Sequence, residues 1–222
     1  MPMPLNPLTI LALVLFAALS LTLLQIGVFT LVLDKLGLSP DAAILLLFAS
    51  LLGSAINLPL FTIEASATAA APVPPRILRL LKLHMPPFEG YTTISLNVGG
   101  GLIPISLSLY LLFHDAVSWT DATLATALVA GVSYLNSRPV PGIGIGMPLL
   151  IAPLAAAIVA ILINPEQSAP LAYVAGTLGV LIGADVLRLG DIRKMGTPLA
   201  SIGGAGTFDG IFITGIVAAL LA

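Results

Sequence analysis

Apolar residues run along this chain in long blocks, broken at intervals by short stretches rich in polar residues, proline or glycine. A bilayer core needs about 20 apolar residues per helix. Blocks near that length recur seven times, at about 7–33, 41–62, 93–113, 121–136, 143–163, 169–188 and 204–222. The interruptions are DKLGLSPD, EASATAAAPVPPRILRLLKLHMPPFEGY, HDAVSWTD, NSRPVPG, NPEQSAP and RLGDIRKMGTP. Each carries Pro, Gly or charge, as a helix breaker should. The pattern predicts an all-α, polytopic helical membrane protein of about seven transmembrane helices, one transmembrane domain over 1–222. In the long connection at 63–92, RILRLLKL (76–83) spaces Arg76, Arg79 and Lys82 three residues apart among Ile and Leu. That spacing predicts an amphipathic helix lying on headgroups.

Composition sharpens the class. Hydrophobic residues make up 58% and charged residues 8% of the chain, with a mean hydropathy of +1.12, whereas soluble domains carry about 25% charged residues. The first apolar block is longer than the 7–15 or so residues of a signal-peptide core, and no basic residue precedes it, so it reads as a retained span. There is no cysteine, which excludes thiolate chemistry, iron–sulfur ligation and disulfides. His84 and His114 lie in different connections without metal-ligand spacing, so no metal and no cofactor is expected. A net charge of −2 without a basic run gives no reason to expect a nucleic-acid partner.

Charge also orients the chain. Arg76, Arg79, Lys82, Arg138, Arg188, Arg193 and Lys194 fall in alternate connections, with only Lys35 opposite. The positive-inside rule then predicts a cytoplasmic N-terminus, an external C-terminus and a multi-pass location in the cell membrane. Tyr110 and Trp119 fall near the outer face, where an aromatic belt belongs.

Two acids stand out against this background. Asp185 lies in LIGADVLRLG and Asp209 in GGAGTFDGIFITG. A carboxylate at membrane depth costs several kcal/mol unless it is protonated, paired or facing water. Asp185 is near the cytoplasmic end of the sixth span and Asp209 near the cytoplasmic start of the seventh, both about 6–9 Å inside the boundary at 1.5 Å per residue. Two carboxylates at one depth on antiparallel neighbours can share a proton, the arrangement that activates water in diaspartyl hydrolases. Gly203, Gly204, Gly206 and Thr207 beside Asp209 would offer free backbone groups to a substrate. A structural reading stays open beside this one: Asp185 pairs with Arg188 one turn on, and Thr207 or Asp209 caps the last helix.

A second organisation also stays open. SLNVGGGLIPIS (95–106) and SIGGAGTFDGIF (201–212) match in spacing, as do LLGSAINLPL (51–60) and LIGADVLRLG (181–190). They suggest a 3+1+3 repeat of the transporter kind, with Asn57 and Asn97 facing Asp185 and Asp209 around a small solute or coupled proton or cation. Arg138 is a candidate contact for a substrate carboxylate or phosphate, although an arginine at that boundary more often anchors topology. PGIGIG (141–146) lacks the preceding strand and following Lys-Ser/Thr of a phosphate loop.

The stretches SLNVGGGLIP, NSRPVPGIGIG and GADVLRLGDIRKMG…SIGGAGTFDGIFITGI resemble a family of uncharacterised archaeal and bacterial membrane proteins known only as a domain of unknown function. The resemblance covers most of the chain and implies no activity. The acids are also similar, more remotely, to those of presenilin, signal-peptide-peptidase and prepilin-peptidase type intramembrane aspartyl proteases. Those pair an aspartate on one helix with a Gly-x-Gly-Asp motif on the next. Here Asp185 matches the first, and GAGTFDGIF (205–213), with Asp209, stands for the second. The match departs where Thr207 and Phe208 separate Gly206 from the acid, and where no Tyr precedes Asp185. This likeness implies a membrane-protein helix as substrate, and the repeat plan implies a small solute. A non-catalytic scaffold is the third expectation.

Overall fold

A computed structural model describes residues 26–65, 88–114, 116–140, 144–204 and 210–222. The start of the first expected span and the amphipathic segment 76–83 lie outside the described residues. Helix α1 covers Ile26–Lys35, and α2 (Pro40–Gly53) follows at a bend of 119°. The Ser39 hydroxyl accepts the Ala42 N–H at 3.3 Å, and Pro40 occupies the first turn, where its missing donor costs nothing.

At Gly53 the chain leaves the helix and becomes strand β1 (Asn57–Glu64), not the rest of a span reaching 62. Pro59 explains the change, because it cannot donate within a helix and fits an edge strand or bulge. The β1 register does slip between Pro59 and Phe61. Strand β2 (Tyr91–Asn97) runs antiparallel to β1, from Asn57 opposite Asn97 to Glu64 opposite Tyr91. Its sequence YTTISLN is rich in the β-branched and aromatic residues that suit a pleated surface. A π-turn over Val98–Leu102 then leads into α3 (Ile103–Phe113).

The fourth expected segment is helical, α4 (Trp119–Asn136), capped by Ser118, and ends in a hairpin of β3 (Arg138–Val140) and β4 (Gly144–Gly146). Next come α5 (Ile151–Ile163) and α6 (Ser168–Val180). Helix α6 continues through a second π-turn, Leu181–Val186, into the short α7 (Leu189–Ile192). Strand β5 (Leu199–Ile202) joins the sheet parallel to β2, giving the order β1-β2-β5, and α8 (Gly210–Leu221) closes the chain.

The expectation of an all-α protein of seven full spans therefore needs correction. The molecule is mostly helical but contains a three-stranded and a two-stranded sheet. The blocks at 41–62, 93–113 and 143–163 are each part helix and part strand or turn. Hydropathy counts apolar residues and is blind to whether they wind or extend. Among the described residues one helical run, Ser168–Ile192 of 25 residues, is long and apolar enough to cross a membrane, and α1 with α2 qualifies only as a bent pair. That is a modest hint of membrane association. The 13 residues of α5 reach about 20 Å, short of the roughly 30 Å bilayer core.

Packing separates large from small. Leu124, Leu128 and Leu135 of α4 face outward, as do Leu154, Ile158 and Leu162 of α5. Inward stand Ala125, Val129 and Ser133 of α4 and Ala152, Ala156 and Ala160 of α5. Hydrogen bonds mark the two ends of the bundle. At one end Lys35 Nζ donates to Leu220 O (3.2 Å), Ser168 Oγ to Ala222 O (3.0 Å) and Asn164 Nδ2 to Asp121 Oδ2 (3.1 Å). At the other, Arg188 reaches the C-terminal turn of α4. Helices α4, α5 and α6 thus run in alternating directions.

Candidate functional site

Asp185 sits inside the second π-turn, partly buried, on the stretch that follows α6. The turn lies tight against α4: a Cβ on Gly183 would collide with the Ala130 carbonyl and stand 2.9 Å from Ser133 Cβ. Three residues further on, Arg188 locks the stretch in place. Its Nη2 donates to Tyr134 O (2.6 Å) and Ser137 O (2.8 Å), and its Nε to Ser137 Oγ (3.2 Å). Its guanidinium lies 4.2 Å from the centre of the Tyr134 ring. The bare carbonyls at the end of α4 thereby gain a charged donor. Arg188 also forms an ion pair with Asp191 at 2.9 Å.

The second acid, Asp209, lies outside the described residues, together with Gly206 and Thr207. Both flanks of its segment are described. Ile202 before it and Ile211 after it are buried in the same apolar cluster as Ala184, the neighbour of Asp185, with Ile94, Val180 and Met195. The chain around the two acids therefore converges on one neighbourhood. Asp185 itself takes part in an interaction of its own.

A polar junction stands at the head of the sheet, where β1 begins and β2 and β5 end. Asn97 is fully buried, and its Nδ2 donates to Ser54 O (2.7 Å) and Asn57 Oδ1 (3.1 Å), while its Oδ1 accepts from Gly100 N (2.8 Å). Ser201 Oγ lies 2.7 Å from Asn57 Oδ1 and 2.7 Å from Gly204 O. Of the glycines expected at a substrate site, Gly203 packs backbone on backbone. Gly203 and Gly204 adopt φ of 79° and 90°, and a Cβ on Gly203 would stand 2.5 Å from Gly101 N. Asn57 and Asn97 thus meet each other, Asn57 also meets Ser201 of the second glycine segment, and both Asn97 amide hydrogens are committed to the fold. Arg138 is exposed at the start of the β3–β4 hairpin, without an ion pair among the described residues.

Ser201, Ser54 and the latch made by Arg188 escaped the sequence reading. Ser201 had a signal, since it aligns with Ser95 in the two matched glycine segments. In the sheet Ser95 pairs with Ser201 and Leu96 with Ile202, in that same alignment. Tyr110 and Trp119 do lie at one helix junction, where Trp119 packs edge-on against Phe113 at 5.4 Å and Tyr110 stacks on His114 at 4.0 Å. No group of three His, Asp or Glu residues suited to a metal ion occurs among the described residues.

No curated protein and no solved structure matches the chain. A family model does, over residues 51–221, which takes in β1, both glycine clusters and both acids. Its description carries no activity, so the likeness to intramembrane aspartyl proteases stands on the residues alone. The chain belongs to the family described as protein of unknown function (DUF1614).

Proposed function

We propose that this protein is a multi-pass membrane hydrolase in which Asp185 and Asp209 form a diaspartyl centre near the cytoplasmic leaflet, cutting peptide bonds of membrane-protein helices. The observation that carries the reading is the common apolar cluster holding Ala184, Ile202 and Ile211, the residues that flank both acids. Membrane embedding is supported by the outward Leu and Ile of α4 and α5 over small inward residues, the inverse of a soluble core. Strand directions support the alternating topology, since β1 runs against β2 while β5 runs with it. In this reading one aspartate takes a proton from water, whose oxygen adds to the scissile carbonyl, and the protonated partner passes its proton toward the amide nitrogen as the C–N bond breaks. Strands and π-turns suit such a centre, because irregular backbone at membrane depth is tolerated where it is enclosed by protein or lines a wet cavity.

Transport is the second reading, favoured by the in-register alignment of the two glycine segments. Paired residues of parallel neighbours project to the same face of a sheet, however, so Ser95 and Ser201 are related by a translation. A pseudo-twofold between the halves would project them to opposite faces. The hydrolase reading therefore leads. In proteoliposomes bearing a reporter helix, wild type should cleave, and Asp185→Asn and Asp209→Asn should each reduce cleavage at least about a thousandfold. Cleavage persisting in either variant would rule out a shared centre, and gradient-driven solute flux without cleavage would favour transport.

A further inference from the structure

The junction of Asn57, Asn97 and Ser201 contains more acceptors than protons. Asn97 has a fixed orientation, because its Nδ2 faces the Ser54 carbonyl at 2.7 Å and its Oδ1 faces the Gly100 N–H at 2.8 Å. Its Nδ2 then requires an acceptor 3.1 Å away, which orients Asn57 with Oδ1 toward both Asn97 and Ser201. The Ser201 hydroxyl has a single proton. Both oxygens at 2.7 Å from it, Asn57 Oδ1 and Gly204 O, can only accept. One proton cannot serve both short contacts in full, and an electropositive partner beside these oxygens would satisfy the surplus acceptor. Successive positive φ angles at Gly203 and Gly204 turn the Gly204 carbonyl back toward Ser201, which glycine alone does cheaply.

We propose that Asn57 Oδ1, Ser201 Oγ and Gly204 O form a binding site for a small monovalent cation of sodium size. Carboxamide, hydroxyl and unwound-backbone carbonyl oxygens are the hard, neutral ligands such an ion takes in membrane proteins. A divalent ion would call for carboxylate ligands, whereas these three oxygens are all neutral. All three ligand residues are partly buried, which leaves room for water to complete the shell. The ion would tie β1 to β5 at the point where the chain enters the segment carrying Asp209. This site is independent of the hydrolase reading and stands or falls separately.

The test is thermal unfolding of the purified protein in detergent, with sodium raised from about 1 to about 300 mM and choline replacing it at constant ionic strength. The midpoint should climb with sodium and saturate. Ser201→Ala should raise the half-saturating concentration at least about tenfold, whereas Ser201→Thr, which keeps the hydroxyl, should leave it near wild type. Asn57→Asp keeps the acceptor for Asn97 and adds a charge, so it should lower that concentration about tenfold. Equal midpoints in sodium and choline would overturn the proposal, leaving a water molecule as the missing donor. Wild-type sodium dependence in Ser201→Ala would overturn it too. Should that variant fail to fold, unchanged dependence in Asn57→Asp decides against the site.

Discussion

Arg188 and Asp191 were both visible in the sequence as members of a charged stretch, but only the helix pitch decides who meets whom. An ordinary α-helix brings residues three and four apart to one face, which is why Asp185 and Arg188 look like a pair. The π-turn at Leu181–Val186 puts more residues into each turn and rotates everything after it. Arg188 reaches α4, takes the Tyr134 and Ser137 carbonyls, and pairs with Asp191. Its side chain keeps only 17% of its surface in solvent, so these charge-assisted bonds are partly shielded. Arg188→Ala should destabilise the protein by about 2–3 kcal/mol. Arg188→Lys should recover only part of that, since an ammonium cannot fork to two carbonyls while lying flat on a tyrosine ring. Thermal melts of the two variants check this, and a wild-type melt for Arg188→Ala would refute the latch.

The strand–glycine–helix unit is the element that sequence reading half found. The match between SLNVGGGLIPIS and SIGGAGTFDGIF was legible, and the two segments do lie side by side in register. Their strands were not legible, because Tyr91–Asn97 runs directly into the apolar block that follows it, and Leu199–Ile202 is only four residues long. The β-branched run Thr92-Thr93-Ile94 and Pro59 were the local signals that should have divided those blocks. Glycine serves contact here more than flexibility. Gly203→Ala would place a methyl against the Gly100 and Gly101 backbone at a left-handed position, and should cost at least about 2 kcal/mol. Gly131, within α4, meets nothing within 4 Å, so Gly131→Ala should instead add about 0.5–1 kcal/mol. Opposite shifts in the two melting temperatures check the distinction, and equal shifts would contradict it.

For the whole molecule, hydropathy marked the helical segments but was blind to the strands between them. Among the described residues three of the seven blocks divide into a helix and an extended or turn segment, and three of the strands gather into one small sheet. That sheet and the second π-turn bring the flanks of both acids into one apolar cluster, a convergence the sequence could suggest only through matched depth. The central claim is that Asp185 and Asp209 share a site, and the absence of cysteine makes it directly measurable. Carboxyls that share a proton lie within about 4 Å, which puts their Cβ atoms within about 7 Å. A variant combining Asp185→Cys with Asp209→Cys should therefore be bridged by a thiol-specific linker of that reach. Thr177→Cys with Gly215→Cys, where a Cβ on Gly215 would lie 2.5 Å from Thr177 Oγ1, provides the positive control. Efficient bridging of both pairs is the predicted result. A control that bridges while the aspartate positions stay unlinked would contradict the shared site.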